Sequence, residues 1–494
     1  MKGNPRNVFD RVGALVPGRS VFDLSYEKKF TCDMGELIPV LCDEMVPGDR
    51  FDIGNQIVVR FQPLVAPIMH EINVFVHYFF VPYRILDDDF EDFITGGEDG
   101  DDTTVIPRWN PTDTTVGSLW DYLGFPTGVT PAGALPIDYP RRAYARIWNE
   151  YYRDQNLQAE VAETNQAILN RAWEKDYFTS SLPWQQRGTA PALPLSGTTN
   201  AVWGAASTAG SSIAPLIDKN GTVYSPRNND TKSWLEANTV DFADAATFNV
   251  SDLRLAFQIQ KWMERNARAG ARYTEWLQAH YGVSPRDDRL QRPEYLGGTK
   301  NPVMISEVLQ TSSTDATTPQ GNLAGHGLVA GQGFAASYKA DEFGLVMGIL
   351  SVVPKPAYQQ GIDRQWLRRT RFDFYSPEFA NLSEQAVERA EIYASAVEAE
   401  NQTIFGYQGR YDEMRVKRSM VCGLMRSDPA FQAWHLGRIF SAAPELNTAF
   451  VECVPDKRIF AVTSEPGLIV NIANKIRGIR PMPFDSDPGL IDHS

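Results

Sequence analysis

The run EINVFVHYFFV at residues 71–81 restricts the fold more than any other stretch of the chain. On a strand successive side chains alternate between faces. Ile72, Val74, Val76, Tyr78 and Phe80 then share one face, and Phe75, Phe79 and Val81 share the other. A strand apolar on both faces has to be covered on both sides. Five more segments read as strands: QIVVRF (56–61), FGLVMGILSVVP (343–354), TRFDFY (370–375), RIFAVT (458–463) and LIVNIA (468–473). They are far apart in the chain, so any sheet is assembled from distant pieces. Long excursions between strands favour a jelly roll over a meander.

The excursions have their own signals. RRAYARIWNEYYRD (141–154) repeats aromatic and apolar residues at helical spacing through Tyr144, Ile147 or Trp148, and Tyr151. Residues 251–282 predict a longer helix, capped by Ser251 or Asp252, striped by Leu255, Ile259 and Trp262, and open to a break at Gly270. Residues 383–400 read as helix on propensity alone. Residues 188–248 differ in kind, being rich in Gly, Ala, Ser, Thr and Asn, with Trp203 and Trp234 and a hairpin signal at Asn220-Gly221 in LIDKNGTVYS. This stretch reads as a self-contained excursion. At 494 residues the chain exceeds what one ordinary core supports, so several domains or one domain with long insertions are expected.

Charge excludes a protein that grips nucleic acid over its whole surface, because the net charge is −14 and phosphate contacts need Lys and Arg. DNA contact has to be local. The first 30 residues carry six basic against three acidic side chains, so Arg6, Arg11, Arg19, Lys28 and Lys29 are DNA-contact candidates, against the simpler reading of a solvated arm. The four cysteines, Cys32, Cys42, Cys422 and Cys453, have no C-x-x-C spacing, which fits a reducing cytoplasm and neither zinc nor a disulfide framework. No apolar run is long enough to cross a membrane as a helix, and the first residues lack the apolar run expected of a signal peptide.

Catalytic patterns fail one after another. AGQGFA (330–335), extended to Ala336, matches G-x-G-x-x-A, but a dinucleotide site needs a strand before it and a helix after it. Here a loop-like stretch precedes and strand residues follow. His70 and His77, seven apart, point to opposite faces of a strand and read as packed histidines rather than one metal site. G-x-S-x-G and G-x-x-x-x-G-K-[ST] are missing. The acid runs DDDFEDF (87–93) and GGEDGDD (96–102) do not fit an EF-hand; they read as solvated loops, with a surface cation site as the functional alternative. Arginines interleaved with aromatics at 141–154, and again in RQWLRRTRF (364–372), suit either amphipathic packing or stacking on single-stranded bases. No catalytic, metal or cofactor site is predicted, and the chain is expected not to be an enzyme.

Eight segments in order resemble one family. They are RSVFDLSYEKKFTCDMGELIPVLCDEMVPGDRF (19–51), INVFVHYFFVPYRIL (72–86), FNVSDLRLAFQIQKWMERNARAGARYTEWLQAHYGV (248–283), RPEYLGGTKNPV (292–303), FYSPEFANLSEQ (374–385), FGYQGRYDEMRVKRSMVCGLMR (405–426), AWHLGRIF (433–440) and RPMPFDSDPGLIDHS (480–494). Together they resemble the major capsid proteins of the Microviridae, small icosahedral single-stranded DNA phages, and the gokushovirus branch in particular. The resemblance implies a mainly β chain: an eight-stranded antiparallel jelly-roll barrel with long loop insertions containing a few helices. It implies a T=1 icosahedral shell of this chain around circular single-stranded DNA, assembled in the cytoplasm of a bacterial host with a small basic DNA-packing protein. Residues 188–248, which match only loosely, sit where the family carries an insertion that forms protrusions and meets a host receptor. Trp203, Asn220, Gly221, Tyr224 and Trp234 are the candidates there, Trp203, Tyr224 and Trp234 for internal packing before host contact. The chain then divides into an N-terminal arm (1–30), a first jelly-roll part (31–187), the surface insertion (188–248), a second jelly-roll part (249–479) and a C-terminal arm (480–494). The reading from another class is a jelly-roll carbohydrate-binding protein or carbohydrate-active enzyme working through the acid-rich loops.

In this light DMGELIPVLCDEMVPGDRFDI (33–53), with six carboxylates, reads as architecture. A strand from Val40 to Val46 ends at Pro47-Gly48-Asp49, and Phe51 and Ile53 begin the next. Asp43, Glu44 and Asp49 fall at strand edge and turn, where charge discourages stray edge pairing, and an Arg of a neighbouring copy is their expected partner. No His or Lys stands near them in sequence to tune an acid for catalysis.

Overall fold

The computed structural model describes residues 18–97, 102–191, 216–217, 223–224, 250–269, 272–309, 323–426 and 429–485. They fall into two compact units, Met1–Gln185 with Ala269–Ser494, and Gln186–Arg268.

Ten strands build the two large sheets of the first unit: β1 (Ser20–Asp23), β2 (Tyr26–Cys32), β3 (Ile38–Met45), β4 (Arg50–Phe61), β5 (Ile72–Pro82), β6 (Glu294–Pro302), β7 (Met304–Leu309), β8 (Leu323–Lys339), β9 (Gly344–Pro354) and β10 (Leu468–Arg480). Both sheets are antiparallel. One runs β1-β10-β4-β8-β7, with β2 also on β10; the other runs β3-β9-β5-β6. The chain is mainly β, and its sheets join distant segments, as β10 pairs with β1, β2 and β4. The hydrogen-bonded ladders do not close into a ring among the described residues, so the barrel expected from sequence is instead a pair of open sheets facing each other.

The burial patterns explain the layering. β4 alternates, with Phe51, Ile53, Ile57, Val59 and Phe61 buried and Arg50, Gln56, Val58 and Arg60 exposed. One face of that sheet meets water. β5 is apolar on both faces and is covered on both. Ile72, Val74, Val76, Tyr78 and Phe80 enter the core between the sheets, while Phe79 and Val81 enter a second core with Trp109, Trp120, Tyr144 and Ile147. The strand 71–81 is therefore where the sequence placed it, and for the reason it gave.

Helix α1 (Tyr139–Ile147) closes that second core and continues into a wider turn at Trp148–Tyr152. Its buried Asp138 accepts two hydrogen bonds from Arg141, at 2.7 and 2.5 Å, and pairs with Arg142 at 3.2 Å. Arg141 also lies over the Trp109 ring. The arginines of this segment are thus engaged in packing and ion pairing. Two helices, α2 (Val250–Ala269) and α3 (Tyr273–Tyr281), occupy the span predicted as one or two; Gly270 and the side chains of Ser251 and Asp252 lie outside the described residues. Leu255 and Trp262 of the expected stripe are exposed. Leu216–Ile217 and Val223–Tyr224 pair antiparallel across the predicted hairpin turn.

Three expectations fail. TRFDFY holds a single 3-10 turn, Arg371–Asp373, because the Asp373 carboxylate takes the backbone N–H groups of Arg369 and Thr370, at 2.9 and 2.7 Å. RIFAVT likewise starts in a turn, Lys457–Ile459, capped by Asp456. Residues 383–400 are not one helix: Glu384–Glu388 pairs as a strand with Ile404–Gly409, buries Val387, and overrides the local propensity.

AGQGFA lies inside β8, hydrogen-bonded to β4, with no helix after it. Its glycines admit side chains from β6. A Cβ on Gly331 would meet Asn301 Oδ1 at 2.4 Å, and one on Gly333 would meet Thr299 Cγ2 at 2.8 Å. The motif serves close strand approach and not a nucleotide.

Candidate assembly surface

The outward face of the β1-β10-β4-β8-β7 sheet is built by alternation. On β4 it carries Arg50, Gln56, Val58 and Arg60; on β10 it carries Ile469, Lys475 and Arg477. Register brings these into rows, such as Leu328 beside Arg60 beside Ile469, and Phe334 beside Gly54 beside Lys475. A register shift between Phe334 and Ala336 accompanies a Phe334 side chain that is 70% exposed. At the β7 edge Met304, Val308 and Leu309 are exposed as well.

Two hollows indent this face. One of about 840 Å³ lies among Val21, Phe22, Gly54, Phe334 and Lys475. The other, about 540 Å³, lies among Lys29, Val58, Arg60, Tyr122 and Ile469. Exposed apolar side chains interleaved with cations and hollows are the makeup of a surface that meets another molecule.

The acidic stretch 33–53 resolves into separate local jobs. Asp33 accepts from the Gly467 N–H at 2.9 Å and pairs with Lys457 at 2.7 Å. Glu36 accepts from the Asp33 N–H, and burial raises its carboxyl. Burial also raises Asp43, against the Tyr26 hydroxyl and the charges of Arg480 and Lys28, so a lysine does stand near it in space. Asp49 is fully buried in the corner between β3 and β4. Its Oδ2 accepts from the Val46 N–H at 3.0 Å and sits 3.5 Å from Arg480 Nη2. Burial raises Asp49 too, opposed by Val46 and Arg480. Arg480 also donates to the Glu44 carbonyl at 2.6 Å and lies over the Phe51 ring. The arginine expected from a neighbouring copy is supplied for Asp49 by the chain's own last strand.

The corner is locked a second way. Gly48, at φ +93°, donates to the Ala340 carbonyl, and Ala340 donates back to Asp49. The β3–β4 and β8–β9 turns are thereby tied to each other.

Of the sequence-predicted residues, Arg6, Arg11, Trp203, Asn220, Gly221 and Trp234 lie outside the described residues. Tyr224 ends the second strand of the short pair. Arg19 is exposed. Lys28 is half-buried, its ammonium donating to the carbonyls of Pro39 and Tyr122, and burial pushes its pKa down to about 8. Lys29 is exposed and pairs with Glu27 at 2.7 Å. His77 packs among Phe75, Phe79, Tyr152 and Tyr295, with Nδ1 2.9 Å from the Tyr152 hydroxyl. Burial pushes it down to about 4, helped by the Arg171 charge. His70 lies before β5 and contacts the Lys355 carbonyl at 2.7 Å. Among the described residues no cluster of His, Cys, Asp and Glu is arranged to hold a metal ion.

Sequence reasoning missed the buried polar ties at Asn55, Asp138 and Asn474, and the burial of Asp49. An Asn at an inward position of an otherwise apolar alternation, as at Asn55 and Asn474, was the available signal.

Comparison with known proteins places the chain in a family. Residues 13–490 match the family described as Capsid protein (F protein). The chain belongs to this phage capsid protein family. It is 34% identical to Capsid protein VP1 of Chlamydia phage 1, with 98% of each chain covered. It is 33% identical to Capsid protein VP1 of Bdellovibrio phage phiMH2K, over 96% of each, and 30% identical to that of Spiroplasma virus 4, over 96% of this chain and 95% of the relative. The resemblance to single-stranded DNA phage capsid proteins holds along nearly the whole capsid chain, and the role of the family is structural.

Proposed function

We propose that this capsid protein is the repeating subunit of a small T=1 icosahedral virion that encloses a circular single-stranded DNA genome. The observation that carries the reading is the family match over residues 13–490, on a chain whose outward sheet face mixes exposed apolar side chains with cations and is hollowed. Obligate contacts bury roughly 2,000–5,000 Å² and are apolar at their centre. Closed symmetry then limits growth.

The fold proposed is an eight-stranded jelly roll. Its support is the alternation of strands between sheets: β2, β4, β8 and β10 lie in one, and β3, β5, β6 and β9 in the other. In this reading β1 and β7 are additions at the sheet edges. Residues 188–248 are the surface insertion that meets a bacterial receptor. Residues 1–30 and 480–494 include the segments that extend over neighbouring copies, and 31–187 and 249–479 form the body. Of the five N-terminal cation candidates, Arg6, Arg11, Arg19 and Lys29 are proposed to face DNA, while Lys28, whose ammonium is taken by the Pro39 and Tyr122 carbonyls, is assigned to the fold; a small basic packing protein offsets the chain's net charge of −14. Assembly takes place in the host cytoplasm.

Electron microscopy of the purified protein tests the reading. Small uniform particles are expected as concentration rises. Chains that stay single at every salt concentration, even with the other phage proteins supplied, overturn it.

A further inference from the structure

We propose that the loop Arg368–Tyr375, with Arg410 beside it, is a binding surface for single-stranded nucleic acid. The inference deepens the shell reading and rests on it for the identity of the ligand.

Large rings usually bury themselves. Here Phe372, Phe374 and Tyr375 are 52%, 56% and 54% exposed. The loop beneath them is pinned. Arg369 makes a two-pronged ion pair with Glu388, at 2.7 and 2.6 Å, and Asp373 caps the turn. Tyr411, itself buried, donates to the Phe374 carbonyl at 3.2 Å and lies 5.1 Å from the Tyr375 ring. The rings are held outward by a fixed backbone.

Guanidiniums are interleaved with them. Arg371 lies 4.8 Å from the Phe372 ring centre and Arg368 lies 5.0 Å from that of Phe374. Arg410 donates to the Phe372 carbonyl at 2.9 Å. Among the described residues none of Arg368, Arg371 and Arg410 is within ion-pair distance of a carboxylate, whereas Arg364, Arg369, Arg415 and Arg418 nearby all are. The neighbours' charges are satisfied inside the protein, and these three are not.

Fixed open rings beside unneutralised guanidiniums suit a ligand that brings flat faces and negative charge together. A single strand does so, with bases to stack and phosphates to pair. A wholly apolar partner would leave the three charges without counterions. The contact would read no particular sequence, because every base has a flat face.

The test uses the full-length protein kept unassembled by dilution. Fluorescence anisotropy follows binding of a thirty-residue oligothymidylate and of an abasic phosphodiester of equal length. The native chain is expected to prefer the oligothymidylate. Phe372→Ala with Phe374→Ala should weaken it about tenfold or more and leave the abasic strand unchanged. Arg371→Gln should weaken both strands and lower the salt slope by about one phosphate contact. Thermal melting confirms folding of each variant, and Arg371→Gln, a surface change, carries the test if the double variant melts early. Equal binding of oligothymidylate by native and variant chains overturns the proposal. So does loss of particle formation in the variants with nucleic-acid affinity unchanged, which would make the patch a contact between copies. Shell formation by the native chain is scored separately by microscopy, so failure of this surface and failure of the shell reading are distinguished.

Discussion

Asn55 on β4 stands directly opposite Asn474 on β10, and both are buried inside the sandwich. Each reaches across to the facing sheet. Asn55 Nδ2 donates to the Tyr78 hydroxyl at 3.0 Å and to the Thr299 hydroxyl at 3.0 Å, and Asn474 Nδ2 donates to the Val40 carbonyl at 2.9 Å. Apolar contacts hold the two sheets together but are indifferent to small slides. Three directed bonds fix where one sheet sits on the other.

Replacing Asn474 with Leu should therefore destabilise the chain, although it adds apolar surface to an apolar core. The Val40 carbonyl loses this donor, which costs about 1–3 kcal/mol. Urea unfolding of native and Asn474→Leu chains measures it. An unchanged midpoint would mean that the bond contributes nothing to the fold.

His77 should make the protein acid-sensitive. Its folded pKa is held down to about 4, against 6.5 for the free ring. Above pH 6.5 neither state binds the proton, and stability is at its full value. Between 6.5 and 4 the unfolded chain takes up a proton that the folded chain refuses, so stability falls, by up to about 3 kcal/mol from this group. Below pH 4 the loss levels off. His77→Gln should remove that part of the slope in melting curves recorded from pH 7 to 4; an identical slope in the variant would place the acid sensitivity elsewhere.

What the sequence disclosed follows from range. The double-faced apolarity of 71–81, the alternation in 56–61 and the Pro47-Gly48-Asp49 break are local signals, and the structure obeys them. TRFDFY and RIFAVT look like strands because β-branched and aromatic residues also suit turns whose rings stand open or pack elsewhere. The outcome depended on Asp373 and Asp456 competing for backbone donors. The ties that close the candidate assembly body, Asp49 to Arg480 and Asn474 to Val40, join the first strands to the last, and no window of sequence contains both partners. The family was legible because eight separated segments each carried part of it.

Gly35 should tolerate no side chain. Its φ is +91°, and a Cβ would fall 1.9 Å from the Cys453 carbonyl oxygen. The backbone on both sides is fixed, since Gly35 donates to the Val352 carbonyl and accepts from the Arg171 N–H. Gly35→Ala should cost about 1–3 kcal/mol from the left-handed backbone alone, and more from displacing Cys453. Yield and melting temperature report it, and a native melting temperature would refute the close approach.

Host choice should travel with residues 188–248. Exchanging this segment between related phages leaves the sandwich sequence untouched, so particles should still form while the range of infected hosts follows the insertion. Plaque counts on both hosts decide; particles that keep their original host range remove the attachment role.

The two ends of the chain allow folding to be separated from assembly. Arg480 serves the fold, because it answers the buried Asp49 and the Glu44 carbonyl. Beyond it, the described residues run to Asp485, and Phe484 stacks on Phe22 with ring centres 5.9 Å apart while remaining 71% exposed. Deleting 481–494 keeps Arg480 and should leave a monomer within about 1 kcal/mol of native stability, the worth of one exposed ring pair. Deleting 480–494 also removes the guanidinium and leaves a buried carboxylate without its counter-charge, a loss of about 3 kcal/mol or more. Neither truncation should form particles if the tail clasps a neighbouring copy. Melting curves and electron microscopy on the pair give two independent readings. Uniform particles from the 481–494 deletion would show that the shell closes without the tail.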